Sequence, residues 1–270
     1  MQNEPHPALC PIFSYPFPIT AVLLKDCLLK KTIKNKDEMK KIGIIGGLGP
    51  EATLQYYKEL IDAFKDGSGD LNYPEIIIYS VNMSEFLAFM KAKKYDEVTG
   101  YLVEKIDALR RAGAEFAALS ANTPHLLFDR IKEKSGIPLI SIVETACEEA
   151  VRLGLKRPGL FGTGFTMDAT FYADVFRKSG IEVVAPEPED RKLIDNKLFT
   201  EIELGIFKDE TRDLLVQIIE KMIRTQQIDS LILGCTEFPL ILTESEYAGI
   251  PMLDTTKIHV NAIAKYCRGR

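Results

Sequence analysis

Lys41-Ile42-Gly43-Ile44-Ile45-Gly46 and Arg157-Pro158-Gly159-Leu160-Phe161-Gly162 share one pattern and lie 116 residues apart. Each is a short apolar run closed by glycine, the form of a strand covered on both faces. Three more pairs follow in the same order. Ala52-Thr53 matches Ala169-Thr170. Leu119-Ser120-Ala121-Asn122-Thr123 matches Leu233-Gly234-Cys235-Thr236-Glu237. Gly136-Ile137-Pro138 matches Gly249-Ile250-Pro251. Offsets this constant imply a duplicated α/β unit rather than a solenoid, whose period stays below about 50 residues.

Around these pairs the chain alternates strand and helix. Further strands are expected at Glu75–Val81, Phe116–Leu119, Leu139–Ile142, Glu182–Val184, Ser230–Leu233 and Met252–Leu253. Helices are expected at Ala52–Phe64, Val98–Ala112, Val143–Leu153, Thr170–Lys178, Asp195–Leu204 and Glu210–Thr225. Such alternation predicts parallel sheets with right-handed crossovers. The expected architecture is α/β, with two similar lobes, each a mainly parallel sheet flanked by helices, related by a pseudo-twofold axis around a cleft. Residues 39–137 plus 251–270 are assigned to the first lobe and 138–250 to the second. Residues 1–38 read as a poorly ordered extension: five of the fourteen prolines fall there, followed by a lysine-rich stretch, and proline at such spacing interrupts both helices and central strands.

Composition narrows the function. The chain has 270 residues, 34 basic and 39 acidic side chains, and a net charge of −5. That balance argues against a general nucleic-acid binder. No run approaches the ~20 apolar residues of a membrane span, and no secretory leader is evident. Five cysteines without CxxC pairing suit free thiols in a reducing, cytoplasmic setting. Three histidines without paired spacing predict no dedicated metal site.

Ligands of parallel sheets bind beyond the carboxyl ends of the strands, which is where the repeated turns fall. In the turn Gly234-Cys235-Thr236-Glu237, a cysteine at a strand-to-helix junction is expected to have a lowered pKa and to act as thiolate, base or nucleophile. Glu237 could orient it and Thr236 could bind a ligand. In the matching turn, Asn122 and Thr123 are candidate donors to a carboxylate or, equally, helix caps. His125, about one turn further on, is a candidate acid/base or a structural hydrogen-bonding residue. Gly46-Gly47-Leu48-Gly49-Pro50 is not GxGxxG in the required register and reads as a glycine turn allowing close backbone approach to a small anion. Gly162, Thr163 and Thr166 form its partner. Asn82 and Met83 read as pocket rim or as strand end.

Jointly, Gly-Gly-Leu-Gly-Pro-Glu-Ala-Thr (46–53), Asn-Thr-Pro-His (122–125), the Gly162-Thr163 loop with Thr166, and Leu-Gly-Cys-Thr-Glu (233–237) resemble the aspartate/glutamate racemase family, in particular its cofactor-independent aspartate racemase branch. The resemblance runs from Met39 to about Arg270. It implies catalysis without pyridoxal phosphate or any other cofactor, a frequent homodimer, and an amino acid or dicarboxylate as the small-molecule ligand. It also implies two thiols on opposite faces of the substrate α-carbon, one removing the proton and the other returning it. Cys235 is the second-half thiol, but the first-half position is Ala121, which cannot transfer a proton. Three expectations follow. The chain racemises aspartate or glutamate with His125, Ser120 or a water serving the empty face. Or it runs a one-thiol reaction, as the related arylmalonate decarboxylases do. Or it only binds its ligand. Selectivity for aspartate would call for a basic residue, which the rim Val81-Asn82-Met83-Ser84 lacks; Lys192 and Lys197 are the candidates from the second lobe.

Overall fold

The computed structural model describes residues 39–65 and 71–269; the expectation for residues 1–38 lies outside them. Two four-stranded sheets carry the fold. In the first, β1 (Ile42–Gly46), β2 (Ile76–Ser80), β3 (Phe116–Leu119) and β4 (Leu139–Ile140) lie in the order β2-β1-β3-β4, all parallel. In the second, β5 (Pro158–Gly162), β6 (Ser230–Gly234), β7 (Glu246–Tyr247) and β8 (Ile250–Asp254) lie in the order β5-β6-β8-β7, parallel except for β7. The repeat is visible in the topology, because β1 and β5, β3 and β6, and β4 and β8 hold matching places. The strand expected at Glu182–Val184 is reduced to a parallel bridge between Val184 and Gly159, on the side of β5 where β2 lies beside β1.

The apolar runs form strands because both their faces are covered. Every residue of β1, β3, β5 and β6 is buried. One face of the first sheet packs on α2 (Met83–Lys91), α3 (Tyr95–Arg111) and α4 (Phe128–Lys134), through Phe86, Met90, Leu102, Ile106 and Ile131. Its other face packs on α1 (Pro50–Ala63) and on α10 (Thr255–Cys267), where Tyr56, Leu60, Val260 and Ile263 meet Ile42, Ile44 and Phe116. The second sheet lies between α6 (Gly164–Asp168), α8 (Pro188–Thr200) and α9 (Asp209–Gln226) on one side and α5 (Ile142–Arg152) with α7 (Phe171–Arg177) on the other.

The strands at the lobe boundaries fall in different sheets from those expected. Leu139–Ile140 was assigned to the second lobe, yet it pairs with β3 in the first sheet. Met252–Leu253 was assigned to the first lobe, yet it pairs with β6 in the second. The helices that follow do cross: α5 leaves β4 to cover the second sheet, and α10 leaves β8 to cover the first. The chain therefore changes sheets after these strands, not before them. Staying one element longer lets β4 and β8 satisfy backbone groups on the flanks of β3 and β6, which would otherwise be buried without partners. Both crossings end in capped helix starts. Ser141 accepts from the Glu144 amide at 3.2 Å, and Asp254 from the Lys257 amide at 3.1 Å, each satisfying a first-turn donor. His259 ties the junction down. Its Nδ1 accepts from the Tyr56 hydroxyl at 2.8 Å and its Nε2 donates to the Ile140 carbonyl at 3.0 Å.

Two further expectations change. Ala52-Thr53 and Ala169-Thr170 are not structural equivalents. Thr53 packs on Gly46 so tightly that a Cβ there would lie 2.4 Å from its methyl, and the residue doing this for Gly162 is Thr166, at 2.8 Å. Thr170 instead is exposed and donates to Asp174 at 2.6 Å. The helix expected at Asp195–Leu204 is α8 followed by a separate 3-10 turn, Ile202–Leu204. Between them Glu201 turns inward to accept from Thr211, Lys197 and Lys208, and Gly205 closes the turn at φ +71°.

Candidate active site

The strand ends of both sheets meet at a small cleft lined by Ala121, Asn122 and Thr123 from the first, and by Thr163, Gly234, Cys235, Thr236 and Glu237 from the second. Its free space is about 30 Å³, room for about one water and too little for an amino acid. Leu48 and Met83 border it, as do Glu203 and the aromatic side chains of Phe165 and Phe199.

At the floor, the Cys235 thiol donates to Glu237 Oε2 at 2.9 Å, and the Thr236 hydroxyl donates to the same oxygen at 3.0 Å. Glu203 Oε1 is 3.8 Å from the sulfur. Glu237 Oε1 is buried without a hydrogen-bond partner among the described residues, and it lies so near Gly49 that a Cβ there would come within 2.5 Å of it. This electrostatic setting corrects the expected low thiol pKa. Burial first, then Glu237 and Glu203, push the Cys235 thiol well above its ordinary value. The helical segment after the turn is only Phe238–Leu240, too short for a substantial dipole, and carboxylates rather than cations surround the sulfur. Burial, and then the neighbouring Glu237, raise the Glu203 carboxyl to about 8; burial likewise raises Glu237. The site therefore holds protons at neutral pH. Glu203, Cys235 and Glu237 also present metal-type ligand atoms within 4.8 Å of one another, a grouping invisible in sequence spacing. The shared thiol proton accounts for the close approach of Cys235 and Glu237 without a cation.

In the opposing turn, Asn122 is held from two sides. Its Oδ1 accepts from the Tyr172 hydroxyl at 2.6 Å, and its Nδ2 donates to Thr255 Oγ1 at 3.4 Å. Thr255 in turn donates to the Leu233 carbonyl at 2.7 Å, so the two turns are braced against each other. The hydroxyls of Thr123, Thr163 and Thr166 form a row with steps of 3.2 Å.

Of the residues singled out from sequence, Cys235, Ala121, Asn122, Thr123, Thr163, Thr236, Glu237 and Met83 line the cleft. The others do not line it. His125 has both nitrogens committed: Nδ1 donates to the Ala121 carbonyl at 3.0 Å and Nε2 accepts from the Ile142 amide at 3.2 Å. Burial and the neighbouring His259 lower its pKa to about 3, so it is a neutral brace with no spare nitrogen to serve the empty face. Ser120 is fully buried and donates to the Ile45 carbonyl at 3.1 Å. Gly47, at φ +78°, sends its amide to Thr53 Oγ1 at 2.9 Å. Gly162 and Thr166 pack on each other beneath the turn. Asn82 caps α2, accepting from the Ser84 and Glu85 amides. Lys197 pairs with Glu201 at 2.6 Å, and Lys192 is exposed; neither reaches the cleft. Sequence reasoning missed Glu203, hidden inside an expected helix, and the apolar border residues. Asn82 ahead of Met83, Phe86, Leu87 and Met90 was a readable helix signal. A wider groove of about 720 Å³ runs along α1 and α10, but none of the strand-end turn residues lines it.

Solved structures share this fold. A candidate Asp/Glu racemase from Yersinia pestis is 33% identical with a TM-score of 0.77; the match covers 85% of this chain and 99% of that one. An aspartate racemase homologue from Pyrococcus horikoshii OT3 is 37% identical with a TM-score of 0.74, over 85% of this chain and 99% of that one. Among curated proteins, a broad specificity amino-acid racemase of Bacillus subtilis (strain 168) is 27% identical over 80% of this chain and 92% of its own length. Fold and relatives define the class, an isomerase of the amino-acid racemase type. Residues 45–263 match the model of the Asp/Glu/Hydantoin racemase family, and the chain belongs to that family.

Proposed function

We propose that the protein racemises amino acids without a cofactor, with Cys235 as acid and base on one face of the α-carbon. The observation that carries this reading is the Cys235 thiol at the cleft floor, 2.9 Å from a carboxylate oxygen able to take its proton. Transfer of that proton to Glu237 leaves a thiolate. Sulfur then removes the Cα proton, and the electron pair of the broken C–H bond stays on the substrate as a carbanion. Protonation from the far face completes the inversion, while return of the proton from Cys235 restores the starting isomer. From the opposing turn Ala121 and Thr123 line the cleft, and Ala121 has no group that can carry a proton. A water held there, in contact with the row Thr123-Thr163-Thr166, is the proposed donor, since His125 and Ser120 are committed elsewhere. Substrate entry requires the cleft to widen, because it admits only about one water.

Ala121 also favours a second reading, a one-sided reaction in which Cys235 protonates or exchanges without inversion. Incubation of L-amino acids in D2O separates the two. Deuterium at Cα together with D-isomer supports racemisation. Exchange with retained configuration assigns the one-sided reaction. Absence of exchange with every common amino acid would overturn both. A cytoplasmic homodimer is proposed with this function. Among the described residues, no helix is long and apolar enough to cross a membrane.

A further inference from the structure

We propose that the preferred substrates are neutral amino acids with sizeable apolar side chains, not aspartate or glutamate. For its chemistry this rests on the racemase reading above; for its specificity it rests on the walls of the cleft. Leu87, Phe165 and Phe199 line the small inner cleft and also a larger adjoining chamber of about 520 Å³. They form the neck between the two spaces. With the α-carbon at Cys235, a side chain that outgrows the inner space runs along these three residues, with Met83 and Phe86 beside them.

Among the described residues no lysine or arginine lines the inner cleft, and the carboxyls that do are Glu203 and Glu237. A side-chain carboxylate placed there, in addition to the α-carboxylate that every substrate carries, would lose its hydration, meet no cation among the described residues, and lie beside two carboxyls whose pKa values burial already raises. Lys91 lines only the outer chamber, together with Asp195, whose Oδ1 accepts from the Gly164 amide at 2.6 Å. The lysine expected from the second lobe, Lys197, is paired with Glu201. An apolar side chain meets none of these costs and buries its surface against Leu87, Phe165 and Phe199. Leucine and methionine therefore fit the neck, alanine leaves it unfilled, and aspartate and glutamate are the misfits.

Two measurements test this independently. In the first, Cα–H exchange in D2O is followed for leucine, methionine, alanine, aspartate, glutamate and lysine. Leucine and methionine should exceed aspartate, glutamate and lysine in kcat/KM by roughly tenfold or more. Faster turnover of aspartate, glutamate or lysine would overturn the specificity while leaving the racemase reading intact. In the second, calorimetry compares α-methyl-leucine with α-methyl-aspartate, which have no α-proton to exchange. The former should bind roughly tenfold or more tightly; equal binding, or binding of neither, sinks the proposal. If no amino acid exchanges but α-methyl-leucine is preferred, the racemase reading falls and the apolar subsite stands. Leu87→Arg places a cation in the neck and should raise the glutamate-to-leucine ratio of kcat/KM about tenfold; an unchanged ratio removes Leu87 from the side-chain path.

Discussion

The turns at Ala121 and Cys235 occupy matching ends of matching strands, yet almost everything ionisable sits at one of them. In the first turn three polar groups have a structural duty: Ser120 bonds the Ile45 carbonyl, Asn122 bridges Tyr172 and Thr255, and His125 braces the Ala121 carbonyl. In the second, a thiol and two carboxyls crowd together, and Glu237 Oε1 has no hydrogen-bond partner among the described residues. Duplication conserved the backbone course, while the side chains separated into a rigid face and a proton-holding face. An unsatisfied buried carboxylate oxygen costs stability, of order 1–3 kcal/mol, which is the expected signature of a site kept for chemistry rather than folding.

The sharpest way to break this contrast is Cys235→Ala. If the second turn holds the acid/base, Cα exchange should fall by about 10²–10⁴-fold with little change in thermal stability; unaltered exchange would move the chemistry elsewhere. Glu237→Gln comes next, with roughly a hundredfold loss of exchange. It also carries a sign. The Glu237 carboxylate raises the thiol pKa, so removing its charge should shift the pH dependence of Cys235 alkylation to lower pH. A shift to higher pH would refute the electrostatic account. Ala121→Cys tests the first turn from the opposite direction. A second thiol there should raise racemisation about tenfold over exchange with retention if the empty face limits inversion; an unchanged ratio of the two would mean that it does not.

The smallest effect concerns stability. Burial depresses His125 to about 3 and His259 to about 4 from 6.5. A histidine that is neutral when folded but protonated when unfolded contributes fully above about pH 6.5, and that contribution is lost as pH falls toward the folded value. Each should cost about 1.4 kcal/mol per pH unit across that window. His125→Gln should lower the melting temperature at pH 7 but flatten its acid dependence. An acid limb as steep as that of the parent would show that the ring does not titrate on unfolding.

Much of this was legible beforehand because it depends on local pattern. Apolar runs closed by glycine marked β1, β5, β3 and β6, and the offset between them revealed the duplication. The cleft residues next to those strands followed directly, Cys235 and Asn122 among them. What was not legible depends on pairing in space. Nothing in Leu139-Ile140 says which sheet a two-residue strand extends. The dipole argument for Cys235 failed because burial, then the adjacent Glu237, then Glu203 from 32 residues away raise the thiol instead, and the inward turn of Glu201, which ends α8, is set by Thr211 and Lys208. His125 stays open between acid/base and structural brace in sequence, because an exposed and a doubly bonded imidazole are identical there.

The exchange of helices between the sheets has a consequence for how the protein can be divided. Cutting the chain between α5 and β5 separates the two repeats in sequence, but each fragment would lose a covering helix to the other. The first would keep β1 to β4 while exposing the face that α10 covers, and the second would lack α5 beneath Leu160 and Ile232. The repeats are therefore not autonomous folding units. Separately expressed, they should be insoluble or unfolded, and only as a mixed pair should they reconstitute the buried faces. The duplicated ancestor of such a chain would have managed this exchange between two identical copies.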